Sequence, residues 1–472
     1  MLSPTTFTER RAALVRALPD GLIVLLGNGP APMNYAANVY PFRQDGSFLY
    51  YTGIDAPGFA LAIDAEAAQS TLFGREATTE DRVWDGDRPS VRERAAAAGM
   101  VRTATPDGLA DAVAKARRAG QTVHVLPPYR AEGRLALAEL LGVAPDEVRP
   151  SDALVDAVVG QRLVKTEAEV AEIERAVGIA AEMHATAMRT AQPGTTELEV
   201  QAAVVAAAAR HGSYPPFPPI VTVRGEVAHH QATGHALREG DLLLHDAGAV
   251  APGTLYAADI TRVSPVGGAF TDRQRAVYQV VLDAQQACIA ACAPGVSFRD
   301  VHDLASATIA RGLVGLGLLR GDPDEIVAAG AHALFFTHGL GHPMGLDVHD
   351  MEGLGEDQVG YGDEAARSDQ FGTRYLRFAR ALRPGHVMTV EPGVYVNAAL
   401  IEAWRSEGRH AAFVDYDEAE RWVGFGGVRI EDDVLITDDG ARVLGPGIPK
   451  TVAEVEAAVQ EGAAVGAAVG AA

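Results

Sequence analysis

The chain has 472 residues, 48% hydrophobic and 22% charged, the make-up of a globular protein long enough for two or three domains. A formal net charge of −22 and a pI near 5.0 exclude a nucleic-acid partner and adhesion to anionic lipid, since both require a basic face. No apolar run reaches bilayer-spanning length, and Met1 to Arg16 carries no apolar core of signal-peptide size, so the expected location is the cytoplasm with no membrane partner.

Residues 1–155 read as a small α/β domain. Apolar strand-like runs at Leu22–Leu26, Phe59–Ile63 and Val123–Leu126 alternate with Ala/Arg/Glu-rich helical stretches at Val91–Ala98 and Arg134–Leu141. A second domain, 156–450, opens on a long helix. Thr166-Glu-Ala-Glu169 fits a capping box, followed by Val170, Ile173, Val177 and Ala180 at helical spacing. Another helix is expected after Pro193-Gly194, where Thr196 and Glu199 repeat the capping pattern. From Asp241 the period changes to two. The segments Asp241–Ala249, Leu255–Pro265, His386–Val396 and Gly427–Thr437 read as strands, and Arg273–Ala293 and Val301–Arg311 as helices between them. Helices on one side of a mostly antiparallel sheet make an α+β arrangement. Cys288 and Cys292 share one helix face and read as small buried apolar side chains. The Ala-rich tail, 451–472, reads as a frayed helix or disordered segment.

Four carboxylates stand on elements able to aim them. Alternation puts Leu242, Leu244 and Asp246 on one strand face, so a carboxylate follows two apolar residues toward the core. Asp259 lies between Ala258 and Ile260. Val387, Thr389 and Glu391 share a face before Pro392-Gly393, and Arg429 shares one with Glu431. Any one such carboxylate is ordinarily exposed or at a turn. Together they are costly to bury, and two divalent cations would balance them. A fifth group, His342, lies in His338-Gly-Leu-Gly-His342. The glycines at 339 and 341 oppose a helix and allow close backbone approach to a site instead.

Asp246, Asp259, His342, Glu391 and Glu431, in the contexts D-A-G, D-I-T-R, H-G-L-G-H, E-P-G and R-I-E-D, resemble the five-ligand signature of the pita-bread metallopeptidases. The resemblance is to the proline-specific branch, Xaa-Pro dipeptidase (prolidase) and Xaa-Pro aminopeptidase. Tyr40–Gly53 (YPFRQDGSFLYYTG) is similar to the small domain that precedes the catalytic domain in that branch. The implied fold is α+β, a small N-terminal α/β domain followed by a C-terminal pita-bread catalytic domain. The implied cofactor is two divalent metal ions per chain, expected to be Mn2+ as is common in the family, with Zn2+ or Co2+ also compatible. The implied substrate is a small peptide with proline in second position, and a homodimer is usual among look-alikes. His229, with His230 beside it, His338 and His349 match the family's active-site histidines. Glu391 matches its general base, and Arg429 is the natural partner of a ligating carboxylate. Arg377, fourteen residues before Glu391, matches the arginine with which prolidases bind a dipeptide's carboxylate. Arg377 and the Ala398–Val423 insertion favour the dipeptidase, whereas the N-terminal domain is closer to the aminopeptidases. The expectation is an Xaa-Pro dipeptidase, with Xaa-Pro aminopeptidase as the alternative. Intact ligands argue against a non-catalytic binding module on the same fold.

Overall fold

The computed structural model describes residues 2–470, with side chains to residue 462. Backbone contacts divide it into two units, Met1–Leu163 with Met351–Val359, and Val164–Asp350 with Gly360–Ala472.

In the first unit a five-stranded sheet runs in the order Arg102–Ala104, Gln69–Phe73, Ala60–Asp64, Leu22–Leu26, Val123–Val125. The inner pairings are antiparallel and the two outermost are parallel. Leu22, Val24, Ala62 and Phe73 pack with Leu109 and Val113 of helix Asp107–Arg118. The strand Gln69–Phe73 and that helix were not among the expected elements. Within Tyr40–Gly53, Asp45 caps a helix over Gly46–Thr52 by accepting from the Phe48 N–H at 2.8 Å.

In the second unit both capping boxes form, starting helices Glu167–Thr190 and Glu197–Arg210. These helices cover a three-stranded antiparallel sheet of Ile260–Pro265, Leu242–Ala247 and Ile220–Thr222. Ile179, Met183, Val200 and Val204 meet Leu243 and Ala247 there. Every residue from Leu242 to Ala247 is buried, so alternation separates a helix-packed face from a site-facing one and not core from solvent. Helices Asp272–Ala291 and Phe298–Gly315 follow, and a second sheet joins Val387–Val390, Asp432–Ile436 and Ala441–Val443.

The long expected strands are broken, and the breaks fall at the acidic residues. Leu255 takes a left-handed φ of 65° in a turn whose N–H bonds Ala251, so regular pairing begins only at Ile260, one residue after Asp259. Strand Val387–Val390 stops at Glu391 because Pro392 offers no N–H, and a short strand restarts at Gly393–Tyr395 against Gly427–Arg429. At Glu431 the chain changes partner: its N–H bonds Thr261 O at 3.1 Å, bridging the two sheets. Helix Val452–Gly470 replaces the expected fray, with Val455 and Val459 fully buried. Cys288 and Cys292 are buried and free.

Lys165 Nζ meets Asp350 Oδ2 at 2.9 Å with both side chains almost wholly excluded from solvent, which anchors the segment that ends in His349. Replacing only the cation, as in Lys165→Met, leaves the buried Asp350 carboxylate without its ammonium. The expected loss is about 3–5 kcal/mol in urea unfolding. A loss under about 1 kcal/mol would show that Asp350 is neutral or hydrated in the fold.

Candidate metal centre

Asp259, His342 and Glu431 each bring a ligand atom to within 4.8 Å of the others. His342 Nε2 lies 3.5 Å from Asp259 Oδ2 and 3.7 Å from Glu391 Oε1, so Glu391 joins the same cluster. Asp246 enters from the neighbouring strand, where it pairs across from Thr261. The five residues expected as ligands therefore face one another.

The backbone explains how. Gly341 lies so close to strand Val387–Val390 that a Cβ there would stand 2.1 Å from Thr389 O. A side chain would push the His342 segment off the strand; with glycine, the Thr389 N–H reaches His342 O at 2.9 Å and Thr389 Oγ accepts from the His342 N–H at 3.0 Å. Gly339 does the same against Leu376, 2.5 Å from its missing Cβ.

His342 fixes its own tautomer. Nδ1 can only donate to Pro343 O, at 3.1 Å, so the ring presents the bare Nε2 lone pair to two carboxylates. Burial holds His342 well below its ordinary pKa, which removes the proton that would otherwise fill that gap. Lone pairs facing lone pairs at 3.5–3.7 Å want a cation between them.

The carboxylates agree. Asp246 Oδ1 and Asp259 Oδ1 are buried with no hydrogen-bond partner. Burial raises Asp259 well above the usual carboxylate range, and Glu431, Asp246, Asp433 and Glu391 push it further. Glu431 is raised well above its ordinary value by burial and then by Glu391 and Asp246. Burial also raises Glu391, to about 7, with Arg429 pulling the other way. Orphaned oxygens, an unprotonated imidazole lone pair and mutually repelling acids fit a divalent metal.

Arg429 is a buried cation that touches the cluster directly. Its Nη2 binds Asp246 Oδ2 at 2.5 Å, its Nη1 donates to the Tyr395 hydroxyl at 3.1 Å, and its Nε to Thr261 Oγ at 3.0 Å. Its partner is thus Asp246 on another sheet, while Glu431, two residues past the end of its own strand, is 4.0 Å away and takes a 2.6 Å bond from the Thr261 hydroxyl. His338 donates from Nδ1 to Gly339 O at 2.7 Å and accepts the Tyr395 O–H on Nε2 at 2.8 Å. Burial and then Arg429 lower His338 to about 3, and burial raises Tyr395 to about 12, so both are neutral. His349 stacks edge-on against His342, ring centres 4.3 Å apart. His229 is exposed, and both Asp246 and His338 feel its charge; His230 turns away to Thr222 Oγ at 3.1 Å. Arg377, half-buried, acts electrostatically on His338, His342 and Glu391. Tyr395, Thr261 and Thr389 were missed. Thr261 sits inside the D-I-T-R context and Tyr395 four residues past Glu391, but a hydroxyl announces nothing until its partners are known.

Comparison with known proteins decides the family. Residues 171–438 match the model of metallopeptidase family M24, and residues 7–125 that of the aminopeptidase P N-terminal domain. The chain belongs to metallopeptidase family M24. It is 32% identical to the Xaa-Pro aminopeptidase of Escherichia coli over 97% of this chain and 98% of that one. Human Xaa-Pro dipeptidase is also 32% identical, over 93% of this chain and 89% of its own length. Among solved structures, a Glu-to-Ala variant of E. coli aminopeptidase P in complex with substrate superposes with a TM-score of 0.81 at 30% identity, over 98% and 99% of the two chains. Aminopeptidase PepP of Pseudomonas aeruginosa gives 0.80 at 31% over the same shares. The fold is accordingly the small N-terminal domain and pita-bread catalytic domain of this family. The relatives lean to the aminopeptidases, against the dipeptidase expectation drawn from Arg377. No helix among the described residues is long and apolar enough to cross a membrane.

Burial raises Asp259, Glu431 and Glu391 in the metal-free chain, Glu391 to about 7, so metal uptake near neutral pH must expel the proton that Glu391 shares with water. Calorimetric titration with Mn2+ near pH 7 should therefore give heats that depend on the buffer's ionisation enthalpy, with protons released. The apparent affinity should rise from pH 6 to pH 8, as Glu391 deprotonates. Buffer-independent heats would contradict the cluster's protonation.

Proposed function

We propose that the chain is an Xaa-Pro aminopeptidase, a dinuclear metal enzyme that releases the N-terminal residue from peptides with proline in second position. The observation that carries the reading is the extent of the likeness: the E. coli Xaa-Pro aminopeptidase matches over nearly its whole length, and the N-terminal residues match the domain model that bears the aminopeptidase P name. Asp246, Asp259, His342, Glu391 and Glu431 would hold two divalent ions. Carboxylates with one imidazole and no thiolate suit Mn2+, and such donors also accept Co2+ or Zn2+. Bound there, the ions would polarise the scissile carbonyl and acidify the attacking water. Two free, buried cysteines accord with a reducing compartment such as the cytoplasm.

The chain's own groups take the remaining roles. Glu391 is the most exposed of the five, 18% against 3–11% for the others, and so is the one able to pass a proton between water and the leaving amine. Arg429, Tyr395 and His338 form a chain of donated hydrogen bonds that keeps one wall of the site rigid and neutral beyond the guanidinium. His349 is held by its stacking on His342 where an N–H can meet the developing oxyanion. His349→Ala should lower kcat by about 10²-fold with metal content unchanged; loss of metal would make His349 a ligand instead.

Substrate length tests the reading. Xaa-Pro-Yaa tripeptides should be hydrolysed with higher kcat/KM than Xaa-Pro dipeptides, and chelation should abolish both. A dipeptide preference would restore the prolidase reading, which Arg377 favours: its guanidinium suits the free carboxylate of a bound dipeptide. Arg377→Ala should then cut residual dipeptide hydrolysis by roughly 10- to 150-fold, the worth of one charge-assisted hydrogen bond, and spare tripeptides. Equal losses on both would assign Arg377 to the electrostatics of His338 and Glu391.

A further inference from the structure

The segment from Val223 to Thr233 forms no helix or strand, yet it carries His229. Its two stems meet at one buried carboxylate. Glu197, the first residue of helix Glu197–Arg210, is 1% exposed. On one stem its Oε1 accepts from the Thr222 hydroxyl at 3.1 Å and the Val223 N–H at 2.8 Å. On the other its Oε2 accepts from the Thr233 N–H at 2.8 Å and the Thr233 hydroxyl at 2.7 Å. Each oxygen serves one stem, and all four donors are neutral. The backbone repeats the closure: the Glu197 N–H bonds His235 O and the Leu198 N–H bonds Thr233 O. Burial alone would raise this carboxyl, and the hydrogen bonds overcome it, leaving Glu197 below its ordinary value.

The same closure sorts the two adjacent histidines. Thr222 Oγ, already donating to Glu197, accepts from His230 Nδ1 at 3.1 Å and from the Arg224 N–H at 2.9 Å. His230 is tied back to the stem. His229 is left facing outward, where Asp246 and His338 feel it.

We propose that Glu197 is a positioning residue whose carboxylate buckles both stems of the 223–233 loop and thereby sets where His229 meets the substrate. This rests on the reading of His229 as an active-site group. A carboxylate is suited to the task because it is acceptor-only and has two oxygens, one for each stem. Glutamine keeps the shape but turns an NH2 toward the donors of one stem, which releases that stem.

A double-mutant cycle on the full, Mn2+-loaded chain tests the proposal with Glu197→Gln, His229→Ala and the pair, read as kcat and KM on an Xaa-Pro-Yaa tripeptide. Glu197→Gln should lower kcat by about 10- to 100-fold, the scale for displacing a catalytic group by about 1 Å, with metal content unchanged. In the His229→Ala background it should add less than about twofold. In metal-free protein, amide hydrogen exchange across 223–233 should speed up in Glu197→Gln and not in His229→Ala. Should Glu197→Gln fail to fold, Thr233→Val removes a single donor and should show a smaller loss with the same non-additivity. Fully multiplicative losses, or unchanged exchange in the loop, overturn the proposal. If His229→Ala impairs turnover while Glu197→Gln does not, the clamp alone fails. If His229→Ala is itself without effect, the role of His229 fails and takes the clamp with it.

Discussion

Four carboxylates are brought together out of water, and the architecture of the second unit follows from having to tolerate that. A buried carboxylate without a counter-charge raises its pKa and takes up a proton. Among the described residues Arg429 is the buried cation that touches the cluster, and its short bond goes to Asp246. The others are left raised, which is unfavourable for the empty site and favourable for any divalent ion that displaces their protons. The centre is built to be incomplete.

That incompleteness needs a rigid surround, because mutually repelling groups relax apart if they can. Behind the site lies a second ionic cluster that is complete. Asp432 receives Arg262 at 2.6 Å, Lys450 at 2.6 Å and Gln285 at 2.7 Å, and these hold its carboxyl below the usual range although burial opposes it. Arg262 also donates to the carbonyls of Thr261 and Glu431, at 2.9 and 2.6 Å. Two neighbours in sequence, Glu431 just before strand Asp432–Ile436 and Asp432 at its start, therefore have opposite electrostatic fates. One is starved of cations and the other saturated. Asp433 adds a third arrangement: its Oδ2 accepts from the Asp259 backbone N–H at 3.1 Å.

How much of this was legible follows from where the information lies. Capping boxes at Thr166 and Thr196 are contained in four residues each, and both formed as read. The residues that cluster were legible because each sits in a short motif of its own. Strand lengths were not, because a ladder ends when its partner ends, and the partners of Glu391 and Glu431 lie on other segments. Burial of both strand faces hid the alternation rule at Leu242–Ala247. The choice of Asp246 as Arg429's partner was hidden for the same reason: sequence proximity favoured Glu431, and only the bridge between sheets brings Asp246 closer. The Ala-rich composition of 451–472 reads as a frayed helix or disordered, but Val455 and Val459, buried at i and i+4, pin the start of helix Val452–Gly470.

Substrate discrimination is the least local property of all, and it separates cleanly from the chemistry. The ligand set is fixed by strand ends, glycine contacts and threonine hydroxyls that do not depend on what lies beyond the scissile bond. Arg377 comes instead from the segment after Thr373–Tyr375, seated over Gly339 where any added side chain would meet Leu376. His229 comes from a loop that holds its shape through Glu197, on a different helix. The two residues proposed to meet the substrate thus stand on segments attached to the proposed metal-binding frame and not part of it. An aminopeptidase and a dipeptidase each match most of this chain at 32% identity, so the choice between them turns on such segments, and likeness across both units weighs more than one arginine.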